Sequence, residues 1–286
     1  MSSKAGSTTQ PVEAVRRAAV ITHGKPETIG TALERLQRVA EDAGVELLFS
    51  DAEAEKHPVE GSDDVDAPDL AVVLGGDGTM LRALQESLET GSPVIGVNFG
   101  SVGFLTSIRA DELESGLKRV FAGEYEVVEL PTLEAEANGE RHVAVNDVVA
   151  ASSMIGRMVE LGWEIGGEDL GVLPCDGVIC ATPSGSTGYN LSNGGPVLVW
   201  GLDAMAVTFI APHSLHARPL VVPRSRDLVV ENRTQDVAVS LLVDGRQIGE
   251  LGAGSRVLVR LGEQRSLLAR LPEMTFFRRY RETFAS

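Results

Sequence analysis

Cysteine is nearly absent: the 286 residues hold two, Cys175 and Cys180. Two thiols cannot build a disulfide framework. With four residues between them on a strand-like run they also make a poor zinc site, so two buried, reduced thiols are expected. Aromatic residues are only 5% of the chain, which leaves Leu, Val, Ile and Ala to fill the interior. No apolar run approaches 18 residues, the length that would announce a membrane span. Positive charge is in the minority, 25 basic against 41 acidic side chains, for a net charge of −16. Such a chain repels nucleic-acid phosphates and anionic lipid, which argues against a nucleic-acid or membrane partner. The opening residues, Met1 to Gln10, lack the apolar stretch of a secretory signal. They read as part of a flexible lead-in over 1–15 of a soluble, cytoplasmic protein.

At 43% hydrophobic residues the chain can bury the cores of two modest domains. In the first half, strand-like runs alternate with helical patterns. Ala18–Thr22, Val45–Phe49, Leu70–Leu74 and Val94–Val97 read as strands. Ile29, Leu33, Leu36, Ala40 and Ala43 recur at helical spacing up to Gly44, and Thr79–Leu88 and Asp111–Phe121 read as further helices. This alternation predicts an α/β domain, 16–126, built on a parallel sheet. Between Glu41 and Asp69 lie 11 acidic residues and one lysine, read as a solvated loop. After Glu126 the runs are short and separated by Gly, Asn and Pro: Val143–Ala151, Met158–Ile165, Gly177–Ala181, Val207–Ile210, Asp227–Glu231, Val237–Val243 and Arg256–Leu261. They predict a β-rich domain over 127–271. Phe276, Phe277, Tyr280 and Phe284 then suggest a C-terminal helix, within a tail of 272–286 that docks back on the body.

Two segments carry the chemistry. Gly75-Gly76-Asp77-Gly78-Thr79 follows the apolar strand directly and opens a helix. Glycines allow close backbone approach to a ligand, and a helix N-terminus suits phosphate oxygens. Asp77 stands at the carboxyl end of a strand, where open α/β sheets bind ligands. It is no P-loop, since no Gly-Lys-Ser/Thr follows; the structural alternative is a tight turn with Asp77 as a helix cap. The second segment is Asp176-Gly177, then Ala181 through Pro196, rich in Ser, Thr and Gly around Tyr189. It offers many hydrogen-bonding groups and one ring that can stack on a base; the alternative is a flexible linker.

Together with Asn98-Phe99-Gly100-Ser101-Val102-Gly103-Phe104-Leu105, Asn146-Asp147, Pro212-His213-Ser214-Leu215 and Arg218-Pro219-Leu220, these segments resemble the NAD kinase family from about Leu70 to Leu220. Lipid kinases and phosphofructokinases share the first motif; the segment from Asp176 to Pro196 is nearly diagnostic. The resemblance implies phosphorylation of the adenosine-ribose 2′-hydroxyl of NAD to give NADP. Asp77 matches the family's general base, and Gly75, Gly76, Gly78 and Thr79 its phosphate-cradling loop. Arg82, Asn146, Asp147, Arg157, Asp176, Thr187, Gly188, Tyr189, Asn190, Leu191, Ser192, Ala211 and Gln247 match positions that approach NAD, as do Asp77 and Gly78. ATP is the implied phosphoryl donor, with Mg²⁺ or another divalent cation carried by the nucleotide rather than by a protein carboxylate cluster.

The resemblance also implies a β-sandwich for the second domain, a C-terminal tail that returns to the first, and a homodimer or homotetramer. NAD then lies in a cleft between domains with help from a neighbouring subunit. Asp147 stands where the family commonly has Glu, Gly188 where it has Ala, and Ser184 where it has Thr. Within Pro212–Leu215, His213 reads as loop support; outside the motifs, Arg278, Arg279 and Arg281 read as a solvated helix face, and Trp163 and Trp200 as core or interface. Two other readings stay open: a non-catalytic NAD(P)-binding sensor, and a kinase of the same superfamily acting on a lipid or a sugar.

Overall fold

The computed structural model describes residues 14–61, 68–100 and 103–285. The lead-in as far as residue 13, the acidic residues 62–67, and Ser101 and Val102 of the Asn98–Leu105 motif lie outside them. Of the expected flexible segment, Val15 is buried and donates its N–H to the Phe121 carbonyl at 3.1 Å. The chain divides into two compact units, residues 1–129 with 266–286, and residues 130–265.

The first unit starts with β1 (Arg17–Thr22), α1 (Ala32–Ala43), β2 (Glu46–Leu48), α2 (Asp51–Ala54), β3 (Leu70–Gly75) and α3 (Asp77–Thr90). β4 (Val94–Asn98), β5 (Ile108–Arg109) and α4 (Leu113–Phe121) complete its first stretch. The strands pair in parallel in the order β2-β1-β3-β4, with β5 beside β4. Every residue of β3 is buried, which explains its continuous apolar run: a parallel strand covered on both faces has no polar side. α1 begins three residues later than the periodicity implied. Ile29 sits just ahead of it, after a 3₁₀ turn at Pro26–Thr28, and Val39 rather than the exposed Ala43 completes the buried stripe. Gly44, at φ +68°, ends the helix with its N–H on the carbonyls of Ala40 and Glu41.

The stretch read as a solvated acidic loop is a correction. It contains α2, and Glu53 and His57 are buried in it.

The second unit is all-antiparallel in its pairing. β6 (Glu126–Ala137), whose first residues belong to the first unit, turns at Asn138-Gly139 into β7 (Glu140–Ala144). β8 (Asp147–Ser152), β9 (Val159–Ile165), β10 (Glu168–Cys175) and β11 (Gly177–Ala181) follow. After the short α5 (Tyr189–Ser192) come β12 (Ala204–Ile210), β13 (Leu220–Pro223), β14 (Leu228–Asn232), β15 (Val239–Val243), β16 (Arg246–Leu251) and β17 (Arg256–Arg270).

One sheet runs β13-β12-β11-β8-β15-β16; the other includes β10-β9-β14-β17. Alternate residues Val148 and Ala150, Val178 and Cys180, and Val239 and Leu241 from the first sheet meet Leu161, Val230 and Val257 from the second in one core. That period-two burial makes the unit a β-sandwich. The opposite face of the six-stranded sheet, with Val149, Ile179 and Ala206, is covered by Leu198. Both cysteines are free and buried; burial pushes the Cys175 thiol up to about 12 and the Cys180 thiol higher still, so both are inert.

Strands β10, β13 and β16 were not visible in the sequence. All three are sheet edges with mostly exposed or half-exposed residues, so their apolar alternation is weak. The chain closes with α6 (Phe276–Phe284), part of the first unit.

Candidate functional site

At the strand ends of the first unit, the three glycines of the Gly75–Thr79 turn do different work. A Cβ on Gly75 would lie 2.5 Å from Thr79 Oγ1 and 2.7 Å from its Cβ, so the strand can meet the helix start only through glycine. Gly76 and Gly78 have open space where a Cβ would be, and both line a cleft of about 610 Å³ with His23, Lys25, Thr28, Thr79, Arg82 and Phe99. The cleft brings together two cationic side chains, a helix N-terminus and small residues, a combination that suits an anion.

Asp77 is no helix cap. It is the first residue of α3 and makes no capping bond there. Its Oδ2 instead accepts the Phe104 N–H at 2.8 Å and its Oδ1 the Leu105 N–H at 3.1 Å. Gly103 approaches so closely that a Cβ there would lie 2.1 Å from Asp77 Oδ1. The Asn98–Leu105 motif thus holds the carboxylate in one orientation.

Arg82 lies one turn further along α3. Its Nη2 donates to the Thr22 carbonyl at 2.8 Å and to Glu53 Oε1 at 3.3 Å. Glu53 is 3% exposed and also receives Lys56 Nζ at 2.6 Å and the Thr22 hydroxyl at 2.6 Å. Because that hydroxyl spends its proton on Glu53, the 2.9 Å contact with His57 Nε2 places the imidazole proton on Nε2. Sequence reasoning singled out Arg82 but not Glu53 or His57, since a buried carboxylate inside an acidic run carries no local signature. Arg279, expected on a solvated face, is a further correction: it is 6% exposed. Burial lowers its pKa, and the negative charges of Glu282 and Asp77 act in the opposite sense.

In the second unit the Ser/Gly-rich segment is a wired plug, not a linker. The Thr182 hydroxyl donates to the Val145 carbonyl at 2.7 Å and accepts the Gly185 N–H at 3.1 Å. Ser186 Oγ accepts the Leu198 N–H at 2.9 Å. Asn190 is wholly buried; its Nδ2 donates to the Ser186 and Pro196 carbonyls, and its Oδ1 accepts from Thr208, each within 3.0 Å. The Asn190 side chain is therefore committed to the framework. Thr187 and Leu191 are half-buried, while Gly188, Tyr189 and Ser192 are exposed.

Asn146 and Asp147 enter β8 under the control of a residue the sequence reading did not single out. Asp244 and Gly245, at φ +48° and +78°, make the two-residue turn between β15 and β16. The Asp244 carboxylate accepts N–H groups from Val145, Asn146 and Asp147 at 2.8, 2.7 and 3.0 Å. Asp147 is buried, and its carboxyl is pushed up to about 7 by burial first and by the charge of Asp244 second. Asn146 Oδ1 is buried without a hydrogen-bond partner.

The expected NAD-contacting residues of this unit fall at two ends of the six-stranded sheet. Asp147 pairs with Ala181, which leads into Thr187–Ser192, and Gln247 pairs with Leu242 one residue before that end. Asp176 and Ala211 lie at the other end, next to the Gly177–Ala151 and Gly177–Ile210 pairs. The five residues of β8 from Asp147 to Ala151, which separate these pairs, span roughly 13 Å. Ala211 holds φ +43°, a strained conformation for a residue with a Cβ. Arg157 is exposed and paired with Asp236 at 2.7 Å.

A cation-lined cleft at a glycine-rich strand-to-helix turn, in a chain that also folds a β-sandwich, defines a two-unit nucleotide-binding protein. The comparisons narrow that class. Residues 19–125 match the ATP-NAD kinase N-terminal domain and residues 145–271 the ATP-NAD kinase C-terminal domain. The NAD kinase of Thermobifida fusca is 36% identical, over 98% of this chain and 91% of its own. The NAD kinase of Archaeoglobus fulgidus, solved in complex with ATP, superposes with a TM-score of 0.74 at 27% identity, covering 94% of this chain and 97% of its own. The yeast NADH kinase, solved with NADH, shares the fold at a TM-score of 0.80 and 23% identity, covering 96% and 88%. The chain belongs to the NAD kinase family.

Proposed function

We propose that the protein transfers the γ-phosphoryl group of ATP to the 2′-hydroxyl of the adenosine ribose of NAD, giving NADP, with Asp77 as the general base. The observation that carries the reading is the state of Asp77: its two oxygens are held by the N–H groups of Phe104 and Leu105, beside the cleft lined by Gly76, Gly78 and Arg82. A base needs contact with the proton it takes and a fixed geometry; those two bonds supply the second. Arg82, held by Glu53, supplies positive charge for phosphate oxygens. In this reading a divalent cation would be held through the nucleotide's own phosphates rather than by a protein carboxylate cluster. When bound there, it neutralises charge on the transferring group.

In the second unit, Tyr189 offers its ring to a base, and Asn146 and Asp147 offer polar groups to the nucleoside. The same reading includes a homo-oligomer in which Arg157, Asp176 and Ala211 serve a dinucleotide held by a neighbouring copy. The relatives named NAD kinase and the Archaeoglobus complex with ATP support both substrates. The test is turnover of purified protein with Mg-ATP and NAD, read by an NADP-specific dehydrogenase. NADP production supports the proposal. NAD binding with no NADP formed from ATP or other donors, polyphosphate included, would replace it with the sensor reading.

A further inference from the structure

The C-terminal helix carries four aromatic residues, more than a nine-residue helix needs to dock. Their placement leads to Asp77. The Phe104 ring, 5% exposed, stands 5.9 Å from the ring of Phe276 and 5.5 Å from that of Phe284, both tilted against it. Tyr280 stands 6.4 Å from Phe276 and 5.1 Å from Phe284. The backbone N–H of the same Phe104 holds Asp77 Oδ2. A shift of the Phe104 ring therefore moves a donor that orients the carboxylate. From the same helix, Arg279 is buried, pairs with Glu282 at 3.6 Å and lies within the electrostatic reach of Asp77. Thr275 caps the helix by accepting the Arg278 N–H at 3.2 Å, which fixes its entry.

We propose that α6 is a positioning arm for the reaction: Phe276 and Phe284 clamp Phe104, and Phe104 in turn fixes Asp77 in the orientation needed to accept the ribose hydroxyl proton. The proposal rests on the reading of Asp77 as the base. The arm touches no reacting atom, so Phe276 and Phe284 are positioning residues. Their loss lowers kcat and leaves NAD binding in place.

Phe284 suits the test because it is 43% exposed, near the end of the chain, and its truncation opens no deep cavity. Phe277, 68% exposed, contacts Phe276 but not Phe104 in the ring pairs of this helix, and serves as the control. The expected result for Phe284→Ala is a fall in kcat of about tenfold to 100-fold, the range for a slightly misplaced catalytic group. The Kd for NAD stays within about twofold, and amide hydrogen exchange quickens at Phe104 and Leu105. Phe284→Tyr, which keeps the ring, restores kcat, and Phe277→Ala behaves as the parent. Equal losses in Phe284→Ala and Phe277→Ala, or an unchanged kcat in Phe284→Ala, would overturn the proposal. An Asp77→Asn variant run alongside separates the two readings. If it retains turnover, the assignment of the base has failed. If it is inactive while Phe284→Ala is fully active, only the positioning arm has failed.

Discussion

Asp147 carries one of the clearest consequences of a single side chain in this protein. Its carboxyl sits buried beside Asp244 and is raised to about 7, while an unfolded chain releases that proton near 4. Between those values the folded state keeps a proton that the unfolded state has lost, so stability falls as pH rises through the window. Above pH 7 the full penalty is present, at most about 4 kcal/mol. Asp147→Asn removes the titration. Thermal melts of the variant from pH 4 to 8 are expected to lose most of the parent's decline and to show a higher Tm at pH 8. An unchanged pH profile would mean that Asp147 is not held protonated.

Other residues mark the limits of local reading. Asp77 was legible because strand, glycines and helix start are contiguous. Glu53 and His57 were not, because their partners Thr22 and Arg82 lie about 30 residues away on either side. Arg279 was misread because a run of three arginines on a helix gives no sign of which one turns inward.

At the level of elements, the short strand pairs are specified by their turns. The Asp244-Gly245 turn does more than reverse the chain: its carboxylate crosses to N–H groups up to 99 residues away in sequence. Asp244→Ala leaves three backbone donors without that acceptor and is expected to destabilise the protein by at least about 2 kcal/mol. NAD affinity should fall with it, since Asn146 and Asp147 lose their anchor. Urea unfolding and calorimetric titration of the same variant check both parts; a stable variant with normal affinity would contradict the account. Parallel β3 announced itself through its continuous apolar run, and the sandwich strands through short runs bounded by Gly, Asn and Pro. The edge strands β10, β13 and β16 stayed hidden because exposed edges need no apolar face. The plug from Thr182 to Leu198 looked ligand-facing from its composition. The hydroxyls of Thr182, Ser184 and Ser186 face inward, because a turn-rich segment covering a sheet must satisfy its own buried polar groups, while Tyr189 and Ser192 stay exposed.

For the whole molecule, a net charge of −16 opposes the approach of anionic NAD and ATP, while Lys25, Arg82 and the N-terminus of α3 at the cleft work against it. Added salt screens both fields. NAD affinity is therefore expected to stay nearly flat from low to moderate ionic strength, as read by KM at fixed Mg-ATP. A steep loss of affinity would show that attraction by the protein's charges dominates binding. The division into an α/β unit and a β-rich unit was visible from the change of pattern after Glu126, while the family, and with it the sandwich, came from the motifs. Which residues each motif holds in place came only with the fold.

The most direct test of the central claim compares Asp77→Asn with the parent in two assays, kcat for NADP formation and Kd for NAD by calorimetry. Asn keeps the size of the side chain, and its single carbonyl oxygen can accept one of the two N–H groups that Asp77 holds, from Phe104 or Leu105, but it cannot take a proton at neutral pH. The account expects kcat to fall by about 10²-fold or more, with Kd changed by less than about threefold. A variant that still turns over at the parent's rate would show that Asp77 is not the base.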